Sequence, residues 1–386
     1  MLEARTLLVL TYDTMRSVET SPFVFDGPAP PADVVGRDEE LAGLWDRAMH
    51  GRFVVLSAPR RYGKTSVIHR LRHDATTGDD LAVVLVDLYG TQTLGDVAAR
   101  IGRAYRALPD AGFGAVLRRL ARRLPHLAAQ LGFGPVTARI EAARRHDEQR
   151  PVLDDLLALP WEAAGVTGQR VLVVLDEFQA VARIADAPAI IRASIQHQRD
   201  RVSYLFAGSE RSLLDTIFSE RAAPLYGQAE QVRLGPLASE ALGDLIDSKF
   251  AATGRHADDA LAPLLALSDG HPQRAMLLAH HLWEATSPAG TADYSTFESA
   301  LDDALTHCRA EFDAIGAQFG PGAAKTARLL AWGEPPLGAA AARIGLAKGT
   351  ARGGLLALDR VSLIDDEHRI VDPLWAEHLR RLNPQP

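Results

Sequence analysis

Short apolar runs alternate with longer segments of helical periodicity over the first 236 residues. Five of these runs have the length and composition of β-strands, namely residues 53–57, 81–86, 171–175, 202–206 and 231–234. The first three are almost continuous valine and leucine, which is typical of parallel strands buried on both faces. Because helical segments separate the strands, the pattern predicts a doubly wound α/β sheet.

Beyond Pro236 the pattern favours helices, and no further strand is expected before about residue 360. Residues 238–285 are predicted to form one helical unit and residues 296–318 a further helix. The remaining pattern predicts three helices, a short strand pair and a closing helix. We expect four parts: an N-terminal extension at 1–20, a core at 21–236, a helical lid at 237–320 and a C-terminal domain at 321–386.

Residues 92–168 form a predicted helical insertion between the second and third strands. The arginines of this insertion are Arg118, Arg119, Arg122, Arg123, Arg139, Arg144 and Arg145. No aromatic residues interleave with them in the way that favours base stacking. We interpret them as the solvated face of amphipathic helices, and a nucleic-acid or partner surface is the alternative.

Composition narrows the classes of function. The chain is 47% apolar, carries 24% charged residues and has a formal net charge of −7, which disfavours a dedicated nucleic-acid coat. A single cysteine, Cys308, excludes an intramolecular disulfide and a cysteine-cluster metal site, and it fits a reducing cytoplasm. No apolar run approaches the ~18 residues that a membrane span needs. Met1 and Met15 are both candidate start residues.

The thirteen histidines do not show the spacing of metal ligands. His280 and His281 are neighbours on a predicted helix, so we expect their side chains to point to different faces and not to share an ion. The Gly-x-Ser-x-Gly motif of serine hydrolases is absent from the sequence, and that chemistry is not expected.

The strongest chemical signal lies between the first predicted strand and the helix after it. A loop that closes onto a helix N-terminus aims backbone N–H groups and the positive end of the helix dipole at phosphate oxygens. Lys64 is expected to reach the β- and γ-phosphates and Thr65 to bind Mg²⁺. Ala58 stands where the P-loop pattern has glycine. The predicted nucleotide-binding residues here are Ala58, Pro59, Arg60, Arg61, Tyr62, Gly63, Lys64, Thr65 and Ser66.

Two acids and a serine follow the third and fourth predicted strands. Asp176 at a strand tip suits Mg²⁺ binding through water, and Glu177 suits polarisation of an attacking water, the two requirements of phosphoryl transfer. An acidic helix cap is the alternative interpretation. Ser209 is a candidate contact for the γ-phosphate or the attacking water, and an ordinary turn or N-cap serine is the alternative. The predicted catalytic residues are therefore Lys64, Glu177 and Ser209.

Together these motifs resemble the archaeal-type ATPase family, a branch close to the STAND and AAA+ P-loop NTPases. The resemblance rests on residues 35–41, 59–66, 176–179, 206–209 and 270–272. It implies that Val35 and Gly36 lie against the adenine and that Pro272 sits in a helical lid over the nucleotide. Arg274 would be a sensor residue or an exposed lid arginine. Gln228 stands where family members often carry arginine, which weakens the assignment of an arginine finger there.

The C-terminal sequence resembles the family's winged-helix ending. Residues 339–345 match its first helix, residues 350–360 the recognition helix with Thr350 as N-cap, and residues 363–371 the wing hairpin. Only Lys348 and Arg352 supply basic side chains near the start of the recognition helix. A protein-docking or structural winged helix is therefore favoured over one that binds DNA.

The leading prediction is an ATP-binding protein, with ATP or ADP and Mg²⁺ as ligands, that hydrolyses ATP as a conformational switch for an unknown protein partner. The first alternative is a DNA-binding initiator or mobile-element ATPase that uses the winged helix. The second is a scaffold that holds nucleotide without hydrolysing it. The fold expected for all three is a P-loop NTPase sheet with a helical lid and a winged helix.

Overall fold

The structure is a computed structural model that describes residues 20–78, 80–124, 149–209 and 211–382. Its strands are β1 (Val54–Ser57), β2 (Leu81–Asp87), β3 (Arg170–Asp176), β4 (Val202–Gly208) and β5 (Glu230–Arg233). They form a parallel sheet in the order β2-β3-β4-β1-β5. The five predicted strands and the α/β class are confirmed.

The register of the sheet brings the chemically important strand ends together. Asp87 of β2 is level with Asp176 of β3, and Ser57 of β1 is level with Gly208 of β4. Because all strands are parallel, the loops that follow them leave from one edge of the sheet. The P-loop sequence, the acidic pair and Ser209 therefore meet at this edge.

Helices cover both faces of the sheet, as expected for buried parallel strands. One apolar cluster packs the first two helices against side chains such as Leu56 and Val174, and a second cluster fills the opposite face around Val55 and Leu175. The helices of this region are α1 (Asp38–Met49), α2 (Lys64–Thr76), α3 (Leu94–Arg106), α4 (Gly112–Ala121), α5 (Gln149–Thr167), α6 (Ala187–Ile195) and α7 (Arg211–Phe218).

The described part of the predicted insertion belongs to the second cluster. Its helices α3, α4 and α5 contribute buried residues to the core beside β2 and β3. Arg118 corrects the prediction of a solvated arginine face: it is buried, and its guanidinium donates to the carbonyls of Leu108 and Pro109 at 2.8 and 2.5 Å. Arg119, Arg122 and Arg123 are exposed as predicted. Arg139, Arg144 and Arg145 lie outside the described residues.

The chain after β5 is helical up to the C-terminal hairpin, as predicted. Ile364 and Ile370 pair antiparallel in that hairpin, at the position predicted for the wing. Within the part of the chain that the structure describes, no helix combines the length and apolarity that a membrane span needs. The helices are α8 (Ser239–Ala252), α9 (Leu261–Ser268), α10 (Pro272–Ala285), α11 (Tyr294–Ala317), α12 (Pro321–Ala331), α13 (Ala339–Arg343), α14 (Lys348–Arg360) and α15 (Pro373–Leu382).

The winged-helix part packs closely on itself and on the lid. A Cβ at Gly354 would lie 2.3 Å from Thr326 Oγ1, so glycine permits the contact between α14 and α12. Ala347, not Thr350, is the N-cap of α14, because the helix begins earlier than its polar sequence suggests. One apolar cluster contains both Phe297 of α11 and Leu374 of α15. This shared core includes residues on both sides of residue 320. The domain boundary expected there stays a prediction.

Candidate functional site

The loop between β1 and α2 has the backbone of an anion-binding turn. Arg61 and Gly63 adopt left-handed conformations with φ of 67° and 82°. Gly63 is the N-cap of α2 and provides no side-chain cap for the first helical N–H groups. Those groups, together with the positive end of the helix dipole, point into the space above the loop. Glycine suits this position because a left-handed backbone strains most other residues.

Lys64 is buried at the first position of α2 and contacts both acids that follow β3. Its Nζ lies 2.9 Å from Asp176 Oδ1 and 3.1 Å from Glu177 Oε1. A buried ammonium requires such partners, since an unpaired charge is costly to bury. The structure thus brings together the three charged residues that the sequence predicted for phosphate and metal chemistry.

Glu177 is held by neighbours on both sides. Its backbone is left-handed, with φ of 54°, and its N–H donates to Asp176 Oδ1 at 2.9 Å. Gln179 Nε2 donates to Glu177 Oε2 at 2.5 Å, and Ser209 Oγ donates to the same oxygen at 3.4 Å. Gln179 was not among the predicted site residues, although it lies in the motif that carried the resemblance. Its position two residues after Glu177 was the available signal.

A cavity of about 850 Å³ opens above these residues. Its walls are the lead-in segment at 24–29, the P-loop, the strand ends and the lid helices α10 and α11. The predicted site residues that line it are Pro59, Arg60, Arg61, Gly63, Lys64, Thr65, Ser66, Asp176, Glu177, Ser209 and Pro272.

Four predicted nucleotide-binding residues lie elsewhere. Val35 and Gly36 are not part of this cavity lining, and Gly36 lies against Leu237 and Ala241. Ala58 and Tyr62 line a second cavity of about 550 Å³ between the P-loop and the wing, which shares Pro59 and Ser209 with the first. The lead-in segment at 24–29 forms part of the wall of the larger cavity. The placement of Val35 and Gly36 against the adenine stays a prediction.

Two arginines connect the cavity to the lid. Arg61 of the P-loop donates to Glu311 Oε1 of α11 at 2.5 Å. Arg274 of α10 lies 3.4 Å from Glu311 Oε2, and its NH1 donates to Cys308 Sγ at 3.2 Å. Arg274 is only 1% exposed, so the interpretation of an exposed lid arginine is wrong. Its side chain lines the cavity from inside the lid.

Arg274 also reaches the winged-helix part. Its Nε donates to both carboxylate oxygens of Asp372, at 3.0 Å each. Burial disfavours the charged form of both residues, but the attraction and the hydrogen bonds between them are the stronger effect. The pKa of Arg274 is therefore raised and the pKa of Asp372 is lowered. Both residues are therefore charged at neutral pH, and the lid and the winged helix are joined by a buried ion pair.

Tyr62 provides a second link between the P-loop and the wing. Its hydroxyl donates to the Val371 carbonyl at 3.4 Å, and its ring lies 4.7 Å from that of His271. Burial, followed by the nearby negative charges of Asp269, Asp365 and Asp372, raises the pKa of Tyr62 to about 12. Burial also lowers the pKa of His271 to about 4, so this imidazole is neutral at physiological pH.

The chain matches no protein-family model and no curated protein. Its structure is similar to that of the Walker-type ATPase of Pyrococcus abyssi, with a TM-score of 0.68 and 16% identity over 93% of this chain and 99% of that one. It is also similar to the ORC2 protein of Aeropyrum pernix, solved as ADPNP–ADP complexes, with a TM-score of 0.55 and 16% identity over 95% of each chain.

These likenesses show the fold. The chain shares the fold of these two proteins, a P-loop α/β sheet followed by helices and a C-terminal winged helix, as the sequence predicted.

Proposed function

We propose that this chain binds ATP with Mg²⁺ in the 850 Å³ cavity and hydrolyses it. The observation that carries the proposal is the contact of the buried Lys64 ammonium with Asp176 and Glu177 at the cavity floor. A cation held between two carboxylates can exchange them for phosphate oxygens at little electrostatic cost. The similar structures are a Walker-type ATPase and an ORC2 protein bound to ADPNP and ADP, which supports the same chemistry here.

The residues present fit a magnesium ion. Thr65 offers a hydroxyl and Asp176 a carboxylate, both on the cavity wall, and hard oxygen donors of this kind are those that Mg²⁺ prefers. When bound, the ion would neutralise charge that develops on the phosphates. The chain itself would bind the phosphates through the N–H groups of the P-loop and the Lys64 ammonium.

Glu177 is proposed to orient the attacking water. One carboxylate oxygen faces Lys64 and the other accepts from Gln179 and Ser209, so the group is fixed from two sides. Occupation of Lys64 by phosphate would leave the first oxygen free to accept a proton or a hydrogen bond from water. Gln179 and Ser209 are then positioning residues for the carboxylate.

Hydrolysis is proposed to drive a switch through Arg61, Arg274 and Glu311. In this structure Glu311 of α11 contacts both arginines at the cavity. A triphosphate carries more negative charge than one glutamate, and it would compete for the same guanidinium groups. Arg274 also pairs with Asp372, which precedes α15 of the winged helix. The competition for Arg274 would therefore change the contact between the lid and the winged helix.

The surface of the winged helix favours a protein partner over DNA. On α14 the exposed Lys348 and Arg352 are accompanied by Leu356, which is 60% exposed. The wing carries the exposed acids Asp366 and Glu367, and its exposed Arg369 is paired with Asp365 and Glu367. Phosphate contacts require positive charge, and the acids of the wing offset the charge that this arginine supplies.

The test is Mg²⁺-dependent ATP turnover by wild-type chain, Lys64→Ala and Glu177→Gln, with and without duplex DNA. We expect turnover that is lost in Lys64→Ala and falls about 10²- to 10⁴-fold in Glu177→Gln, while Glu177→Gln still binds nucleotide. Glu220→Gln, an exposed glutamate of the core, is the matched control and should retain activity. Nucleotide binding without turnover would favour a scaffold that holds nucleotide over an ATPase. Turnover that requires DNA would favour a DNA-binding initiator.

A further inference from the structure

A cluster of nitrogen and oxygen donors lies on α10, away from the P-loop. His280, His281 and Glu284 each place one potential ligand atom within 4.8 Å of the others. The prediction that the two histidines cannot share one face is therefore wrong. Adjacent helical positions differ by about 100°, but rotation of the imidazole rings, whose centroids are 5.1 Å apart, brings both toward Glu284.

Each imidazole lies near a different oxygen of the Glu284 carboxylate, at a distance longer than a hydrogen bond. His280 Nε2 lies 3.5 Å from Glu284 Oε1, and His281 Nδ1 lies 3.8 Å from Glu284 Oε2. Hydrogen bonds from N–H to O are shorter, about 2.9–3.0 Å. Ligand atoms at about 2.1 Å from a tetrahedral ion are separated by roughly 3.4 Å, close to the observed distances.

The two imidazoles have little other hydrogen bonding. His280 Nδ1 and His281 Nε2 are buried and accept or donate no hydrogen bond to another described residue. Glu284 is about half exposed, which gives an ion access from solvent and supplies a negative charge beside the rings.

We propose that His280, His281 and Glu284 bind one divalent ion of the zinc class, with water in the remaining coordination positions. Two imidazole nitrogens and one carboxylate suit zinc, nickel, cobalt or copper, whereas Mg²⁺ and Ca²⁺ require oxygen ligands. The site is thus distinct in chemistry from the magnesium position at Thr65 and Asp176.

The site also adjoins the wall of the nucleotide cavity. The ring of Phe25 lies 4.8 Å from His280 and 5.3 Å from His307, and both Phe25 and His307 line the cavity. An ion on His280 would fix the ring against which Phe25 packs. Ion binding is therefore expected to stabilise the folded chain, because an ion that binds only the native state raises its stability.

The experiment is equilibrium dialysis of the full, chelator-treated chain against zinc chloride, with cobalt as a spectroscopic probe of coordination. We expect one zinc per chain, with affinity reduced more than about tenfold in Glu284→Gln and in His281→Gln. His197→Gln, at an exposed histidine of the core, is the matched control and should bind like wild type. Circular dichroism checks that each variant is folded, and Glu284→Gln changes only a half-exposed side chain. Equal binding by all four proteins, or no binding by wild type, would overturn the proposal.

Discussion

Arg274 of the lid helix α10 donates to both carboxylate oxygens of Asp372, the residue that precedes α15 of the winged helix. Asp372 in turn accepts from the backbone N–H groups of Leu374 and Trp375 at 3.0 and 3.2 Å. The same carboxylate therefore caps a helix and neutralises a buried guanidinium that lines the nucleotide cavity. This places a buried charged pair between the proposed ATP site and the winged helix.

Asp372→Asn should be strongly destabilising. The amide can still cap α15, but it leaves the Arg274 charge buried with Glu311 as its remaining acid partner, and breaking a buried pair in this way costs about 3 kcal/mol or more. Asp302→Asn is the matched control, because its pair with Arg381 is largely exposed and is expected to contribute less than about 1 kcal/mol. Urea unfolding measures both, and similar losses in the two variants would contradict the assigned role of Asp372.

Stability should fall as the pH is lowered from about 6.5 to about 4 because of His271. Its pKa is about 4 in the folded chain, whereas an unfolded histidine titrates near 6.5. Between these values the unfolded chain binds a proton that the folded chain does not, so the free energy of unfolding decreases by up to about 3 kcal/mol.

His271→Asn tests this pH dependence. Asparagine retains an acceptor for the Arg274 backbone N–H that His271 Nδ1 now binds at 3.3 Å. Urea unfolding across the same pH range should show a smaller decrease in the free energy of unfolding for the variant than for wild type. If the free energies of unfolding of the two proteins change equally with pH, groups other than His271 cause the pH dependence.

Gly208→Ala should impair turnover more than nucleotide binding. A Cβ at Gly208 would lie 2.2 Å from Gln179 Oε1, so the Gln179 side chain would have to move away from Glu177. We expect turnover to fall about tenfold or more, with the ATP dissociation constant changed far less. Gly78→Ala is the control, since nothing lies within 4 Å of a Cβ there. Equal activity of Gly208→Ala and wild type would contradict the proposed role of Gln179 in positioning Glu177.

Glu311→Gln should tighten ATP binding by about three- to tenfold. The substitution removes a negative charge beside the cavity and frees Arg61 and Arg274 for phosphate. Asp313→Asn, an exposed position on the same helix whose acid pairs with Arg309, controls for the change in net charge. Calorimetric titration with Mg²⁺ and ATP measures both. Unchanged affinity in Glu311→Gln would contradict the proposed competition.

The parts of the fold that follow from local pattern were predictable. Continuous valine and leucine identified the buried strands, and the loop around Gly63 and Lys64 identified the anion site, since both depend on adjacent residues. Arg118 and Arg274 were not predictable, because burial of an arginine depends on partners distant in sequence, such as Asp372. A helical period also could not reveal that the side chains of His280 and His281 both approach Glu284.

Calorimetric titration of the full chain with ATP and Mg²⁺ measures whether Lys64 binds the phosphates of ATP. We expect one nucleotide per chain and at least about tenfold weaker binding in Lys64→Ala, the loss expected for a charge-assisted contact. Lys325→Ala, an exposed lysine of α12, should bind like wild type. Absence of binding by the wild-type chain, or equal affinity in Lys64→Ala, would show that Lys64 does not hold the phosphates of ATP.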